Sequence, residues 1–263
     1  MASIPEGALR GRTALVTGST GGIGLAVAAS LAAAGCDLVL HGLAADAEGQ
    51  AVAAELTAHH AVQARYRQVE LARPAAIEAL IADIGAPDIL VNNAAARHFG
   101  AIEETPPEDW DSDLAVNLSA AFHLTRLSLP GMRARGWGRI LNMSSIYGLV
   151  GATGRVGYVT TKTALIGLTR ATALETAASS ITCNALCPGS TLTPNIAGRI
   201  GAAMQAAGLD QAAATAQFLA GKQPTGRFVA AEAIGAMAAF LCSEAGRDIT
   251  GAVLPMDGGW SAM

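Results

Sequence analysis

Short apolar runs alternate with longer, alanine-rich stretches along the whole chain. Runs of strand length and composition recur near residues 12–17, 37–42, 65–71, 88–94, 138–144, 180–187 and 252–256. Between them lie helix-prone stretches near 22–34, 45–59, 74–84, 107–134, 157–178 and 229–243. Alternation of β and α at this spacing predicts one doubly wound α/β domain over residues 1–263, a seven-stranded parallel sheet with helices on both faces. Gly35 reads as a helix C-cap, and Pro130 is expected to kink or end the 107–134 helix. One segment breaks the rhythm. Residues 190–227 follow a strand, are too long for a tight connection and are helix-prone at 201–221. A long excursion at the carboxyl edge of a sheet predicts a helical lid.

Composition narrows the classes. The chain of 263 residues is 51% hydrophobic and 14% charged, enough for a substantial core and too apolar for disorder. A net charge of −4 and the absence of any lysine/arginine block speak against a nucleic-acid surface. Met1 to Arg12 lacks the basic start and apolar centre of a signal peptide, and no run of about 18 apolar residues predicts a membrane span. The cytoplasm is the default location. Cys36, Cys183, Cys187 and Cys242 sit in apolar contexts without partners for a metal site, so no metal is expected.

Three strand ends and one helix-like segment carry candidate chemistry. The first strand runs into Thr17-Gly18-Ser19-Thr20-Gly21-Gly22-Ile23-Gly24 and then a helix. Strand, glycine loop and helix N-terminus in that order can cradle a pyrophosphate, although a tight structural turn needs glycine too. The fourth ends in Asn92-Asn93, which could fix a ribose, fix the central sheet or close the strand with an Asx turn. The fifth ends in Ser144-Ser145, where a hydroxyl can donate to a substrate oxygen or cap a helix. Thirteen residues on, Tyr158 and Lys162 stand four apart in a helix-like segment, on one face. A fixed ammonium near a phenol favours the phenolate, and a phenol so tuned can move a proton on or off a carbinol oxygen.

Together these features resemble the short-chain dehydrogenase/reductase family, over nearly the whole chain. The resemblance rests on Thr17-Gly-x-x-x-Gly-x-Gly24, Asn92-Asn93-Ala94, Asn117, Ser145, Tyr158-x-x-x-Lys162, Pro188-Gly189 and Thr193. Further stretches, such as Leu174-Glu-Thr-Ala177 and Phe240-Leu-Cys-Ser-Glu-Ala-Gly246, look like its bacterial D-3-hydroxybutyrate dehydrogenase branch. The resemblance implies a Rossmann-type fold, a homotetramer, and oxidation of an alcohol to a ketone by hydride transfer. Asn117, Ser145, Tyr158 and Lys162 are the implied catalytic set, with Asn117 supporting a water chain. The implied cofactor contacts are Gly18, Thr20, Gly22, Ile23, Gly24, Glu70, Leu71, Asn93, Tyr158, Lys162, Pro188, Gly189 and Thr193.

Cofactor and substrate choice turn on charge. NADP needs a cation just after the second strand, and Leu40-His41-Gly42-Leu43 offers only His41, which could substitute in part. The acid that commonly marks NAD is missing as well, as it is in the hydroxybutyrate branch, and NAD is the expected cofactor. That branch grips a small carboxylate with Gln, His, Lys and Gln and closes the pocket with tryptophans. At the matching places stand Arg97, Tyr147, Arg155 and Ala197, with Ser190 for one tryptophan and Trp260 kept. With Ser145 and Tyr158 these predict a substrate pocket that takes an anionic 3-hydroxy acid, with room for more than hydroxybutyrate. The alternatives are a 3-oxoacyl or other ketone reductase, or a dehydrogenase of a bulkier alcohol. A non-catalytic sensor of the same fold would not need the set Asn117, Ser145, Tyr158 and Lys162.

Overall fold

The computed structural model describes residue 5 and residues 7–263, so part of the Met1–Arg12 start lies outside it. Seven strands, β1 (Thr13–Val16), β2 (Asp37–Gly42), β3 (Ala64–Gln68), β4 (Ile89–Asn92), β5 (Gly138–Met143), β6 (Ile181–Pro188) and β7 (Val253–Met256), form one sheet. All pairings are parallel, in the order β3-β2-β1-β4-β5-β6-β7. The inner strand runs are largely apolar because helices cover both faces, while the edge strand β3 alternates, with only Tyr66 buried. β5 and β6 are buried along their whole length.

The covering helices are α1 (Gly22–Ala33), α2 (Asp46–His60), α3 (Pro74–Ile84), α4 (Pro107–Leu114), α5 (Ala120–Arg135), α6 (Val156–Thr176), α7 (Pro194–Ala207), α8 (Gln211–Leu219) and α9 (Ala231–Cys242). On one face Val16 and Val91 pack under Val27 and Leu31 of α1, Leu56 of α2, and Ile234 and Leu241 of α9. On the other, Leu15 and Leu90 pack under Ile77 and Leu80 of α3 and Leu124 and Met132 of α5. Neighbouring residues of one strand thus serve opposite cores, as the two-residue period requires. From β1 the chain winds outward to β2 and β3, then returns to β4 on the other side of β1. Ligands of such sheets bind beyond the carboxyl ends at this reversal.

Two elements differ from expectation. Pro130 neither ends nor splits α5. It removes one backbone donor, while burial of Leu124, Ser128 and Met132 holds the helix across it. The irregularity lies earlier, at a single π turn over Ala115–Ser119 that carries Asn117. The excursion after β6 is helical, but as α7 and α8 rather than one stretch over 201–221. Thr193 caps α7, Gly208 ends it in the left-handed region (φ 63°), and Asp210 caps α8 by accepting from the Ala213 N–H at 2.8 Å. The ends of the excursion are stitched together. Gln223 Oε1 accepts from the Ser190 N–H at 2.6 Å, its Nε2 donates to the Arg227 carbonyl at 2.6 Å, and the Val229 N–H donates to the Ser190 carbonyl at 2.9 Å. Among the described residues, no helix is long and apolar enough to cross a membrane, and no His/Cys/Asp/Glu group could hold a metal.

Candidate active site

The glycine loop sits at the strand-order reversal. Thr17 Oγ1 donates to the Val91 carbonyl at 3.2 Å and accepts from the N–H groups of Asn93 and Ala94, tying the ends of β1 and β4 together. Gly18 takes φ 62°, a conformation that favours glycine. Asn93 Nδ2 donates to the carbonyls of Thr17 and Gly18 at 2.8 and 3.0 Å, so this side chain braces the loop. A Cβ at Gly24 would meet the Gly18 carbonyl and that same amide. Gly24 therefore serves the close packing of helix on loop. Asn92, the other member of the pair, fixes the central sheet, donating to Asn142 Oδ1 at 2.8 Å.

A cavity of about 650 Å3 opens above the loop, lined by Gly18, Thr20, Gly22, Glu70, Leu71 and Thr193 among others. The first turn of α1 has no side-chain cap and no acidic residue, which leaves its N–H groups and positive dipole end to the cavity. These residues fit a dinucleotide. No lysine or arginine lines the cavity. His41 cannot supply the missing charge. It is buried, its Nδ1 accepts from the Gly18 N–H at 3.2 Å and its Nε2 meets the Val69 carbonyl at 2.9 Å. That arrangement uses the neutral ring, and burial lowers the imidazole pKa further. The partial cation expected at His41 is thus a structural pin, and Leu43, 64% exposed, occupies the cavity wall instead.

Tyr158 and Lys162 both lie in the first two turns of α6, buried, with the ammonium 5.6 Å from the phenol ring centre. Lys162 is 2% exposed and donates to the Met143 carbonyl at 2.7 Å. Burial, then repulsion from Arg97, pushes its pKa down from 10.5 to about 7. Ser145 sits two residues past this strand end, next to Ser144, whose Oγ donates to the Lys162 carbonyl at 2.7 Å. Ser145 Oγ accepts from the Tyr147 N–H at 3.2 Å, so its own proton is free to be donated. Ser145, Tyr158, Lys162, Pro188, Gly189, Ile23 and Asn93 surround a small cavity of about 60 Å3. Asn117 does not reach it. Its side chain accepts from the Ala96 N–H at 2.7 Å and donates to the Ala96 carbonyl and Thr161 Oγ1, both at 3.1 Å.

A second cavity, of about 350 Å3, shares Ile23, Arg97, Ser145 and Tyr158 with the small one. Tyr147, Arg155, Ser190 and Trp260 also line it. The Arg97 guanidinium lies 5.0 Å from the Tyr158 ring centre, and that of Arg155 5.0 Å from Tyr147, against which Trp260 packs edge-on. Ala197, expected at a pocket position, is exposed and off the lining. A shift of one or two positions along the helix sets the difference, because Ile196 and Arg199, three apart on one face of α7, line the cavity instead. Arg199 and Lys222 flank the Phe218 ring at 5.4 and 4.0 Å. Sequence reasoning missed both. The available signal was composition, since residues 190–227 carry Arg199, Lys222 and Arg227 against the single acid Asp210.

The fold and this site define a class. The short chain dehydrogenase profile matches residues 12–202, and the chain belongs to that family of oxidoreductases. The protein is 44% identical over 259 residues to D-beta-hydroxybutyrate dehydrogenase of Cupriavidus necator, covering 97% of this chain and 99% of that one. It is 39% identical to the Rhizobium meliloti protein of the same name, covering 95% and 99%. In structure it resembles L-sorbose reductase of Gluconobacter frateurii, solved with NADPH and L-sorbose, with a TM-score of 0.92 at 30% identity, covering 98% of this chain and all of that one.

The buried lysine has a cost that can be measured. Its folded-state pKa lies below the unfolded value, so the unfolded chain binds the extra proton between about 7 and 10.5, and ligand-free stability rises with pH through that window. Lys162→Met should therefore raise the stability of the ligand-free protein by roughly 2–4 kcal/mol at pH 7, after about 1 kcal/mol lost with the Met143 hydrogen bond. Thermal melts should show the gap largest at and below pH 7 and closing toward pH 10.5. A variant less stable than wild type at pH 7 would contradict the burial argument.

Proposed function

We propose that the protein is a cytoplasmic, NAD-dependent dehydrogenase that interconverts a 3-hydroxybutyrate-like 3-hydroxy acid and its ketone. The observation that carries this reading is one cavity in which Ser145 and Tyr158 stand beside the guanidinium groups of Arg97 and Arg155. The first pair addresses an alcohol oxygen and the second a carboxylate. When bound, the nicotinamide cofactor supplies the hydride acceptor for oxidation and the donor for reduction. Its pyrophosphate suits the Gly18–Gly22 turn and the open first turn of α1, with Thr20, Glu70, Leu71, Pro188, Gly189 and Thr193 around it.

Tyr158 takes the hydroxyl proton during oxidation and returns it during reduction. Lys162 stabilises the phenolate that accepts this proton, and two of its three N–H donors remain free for the nicotinamide ribose beyond the one held by Met143. Ser145 donates to the reacting oxygen, because its acceptor side is already occupied by Tyr147. Asn117 serves the proton's route to solvent through its backbone, since its side chain clamps Ala96 to Thr161. The π turn interrupts the regular i→i−4 ladder at that residue. Residues 190–227 act as the lid, bringing Ser190 and Thr193 over the junction of the cofactor and substrate cavities.

NAD is favoured over NADP because no cation lines the cavity and His41 is a neutral pin. A homotetramer is favoured by an open groove between α5 and α6, lined by Phe122, Leu129 and Leu168 among others, and by Leu174 of α6, which is 80% exposed. Four buried, unpaired cysteines suit a reducing compartment.

Four measurements test these assignments. With NAD and 3-hydroxybutyrate, Tyr158→Phe should lose at least ~100-fold in kcat. Arg155→Ala should raise KM for the acid by ~10–100-fold and leave its methyl ester nearly unaffected, the loss of a charge-assisted contact. Equal losses for acid and ester, or neutral alcohols outperforming every hydroxy acid in wild type, would transfer the protein to the ketone-reductase or bulky-alcohol alternatives. Wild type should prefer NAD over NADP in kcat/KM, and Leu43→Arg should move that ratio toward NADP by ~10-fold or more. An NADP preference in wild type would defeat the cofactor assignment. Light scattering should give four chains per particle, and Phe122→Arg should reduce that number. A monomer at micromolar concentration would count against the tetramer.

A further inference from the structure

The substrate cavity is more cationic than one carboxylate requires. Arg97, Arg155, Arg199 and Lys222 all line it, and no aspartate or glutamate does. Among the described residues none of the four is ion-paired with a carboxylate. The chain as a whole is acidic, with 21 carboxylates against 17 lysines and arginines. Excess acid elsewhere makes their absence from this cavity the more specific.

The four cations form two groups. Arg97 lies against the ring of Tyr158 and Arg155 against that of Tyr147, at the end where the alcohol oxygen is placed. Arg199, on α7, and Lys222, just after α8, both lie against the Phe218 ring at the lid end. Lys222 Nζ is further anchored by donating to the Phe218 carbonyl at 2.7 Å, which holds the ammonium in place before any ligand arrives. The groups also feel one another. The Lys222 pKa is lowered by burial and then by the charges of Arg199 and Arg155. Clustered cations of this kind are held against repulsion, and a ligand charge at each end relieves it.

We propose that the preferred substrate is a dianion: a hydroxy acid whose first carboxylate meets Arg97 and Arg155 and whose second anionic group, a carboxylate or a phosphate, meets Arg199 and Lys222. The small Ser190 side chain lies on the lining between Gly189 and Thr191 and leaves room for the longer molecule. The second anion also recruits the lid, because both of its partners belong to the 190–227 excursion while the first pair belongs to the body of the domain. Binding energy from the distal group is then available to close the site around the reacting carbon. This inference rests on the hydroxy-acid chemistry proposed above.

The test is a panel of kcat/KM values with NAD for 3-hydroxybutyrate, 3-hydroxyglutarate, the monomethyl ester of 3-hydroxyglutarate and 3-hydroxy-4-phosphobutyrate. It is run on wild type, Arg199→Gln, Lys222→Met and the double variant. In wild type the better of 3-hydroxyglutarate and the phosphate compound should exceed the monoester, the near-isosteric monoanion of 3-hydroxyglutarate, by at least ~10-fold. Comparing 3-hydroxyglutarate with the phosphate compound tells which anionic group the lid end takes. The dianion-to-monoester ratio should fall toward one in each single variant and reach it in the double variant. A ratio near one in wild type, or one that none of the variants moves, overturns the dianion inference while leaving the hydroxy-acid reading intact if 3-hydroxybutyrate is oxidised. Failure to oxidise any of the four acids, with neutral alcohols turned over instead, overturns that reading and this one with it.

Discussion

A lysine ammonium held in the interior, against a single backbone carbonyl, is the constraint around which this structure is arranged. Lys162 lies two turns into α6, and its charge is desolvated, with Met143 O as its hydrogen-bond partner. Such a group is tolerated only where the surroundings fix it on every side. The carbonyl of Lys162 accepts from Ser144 Oγ, and Gly148 approaches the same carbonyl so closely that a Cβ there would collide with it. Asp113 packs under Gly157 at the N-terminal end of α6, where a carboxylate meets the positive dipole end, and His98 bridges it to Asp109 at 3.0 and 3.5 Å. The end of β5, the turn after it, α4 and α6 are therefore placed relative to one another by the needs of one charge.

The same electrostatic logic separates the cavity above the glycine loop from the one beyond Tyr158. The one above the glycine loop has no fixed cation and relies on backbone N–H groups and a helix dipole. The one beyond Tyr158 carries four side-chain cations and no carboxylate. Thr193 and Ala95 line both, so the boundary between a cradle without a fixed cation and a cationic pocket falls where the lid leaves the sheet. A ligand in the first cavity is recognised by shape and dipoles, and a ligand in the second by its charges.

The sheet was legible because apolar runs of fixed length between alanine-rich helices have few other solutions, and each of the seven runs became a strand within a few residues of its predicted ends. Tyr158 and Lys162 were legible because a four-residue spacing on a helix has one geometric meaning. Features that depend on long-range packing were not. Pro130 reads as a break until the burial of Leu124 and Met132 is known, and nothing local to Ala115–Ser119 announces a π turn. His41 reads as a spare cation because its partners, Gly18 and Val69, are 23 and 28 residues away. Arg199 was displaced in favour of Ala197 because alignment by resemblance is loosest in the excursion, where a shift of one or two positions decides which side chain lines the cavity.

The placement of a desolvated ammonium beneath Tyr158 can be read directly. Lysine labelled with 15N at Nζ allows each ammonium to be titrated by NMR in the folded, ligand-free protein, and the spectrum of Lys162→Met assigns the signal. The structure predicts one lysine, Lys162, titrating near pH 7 rather than 10.5. A Lys162 signal that titrates near the ordinary lysine value of 10.5 would contradict the account.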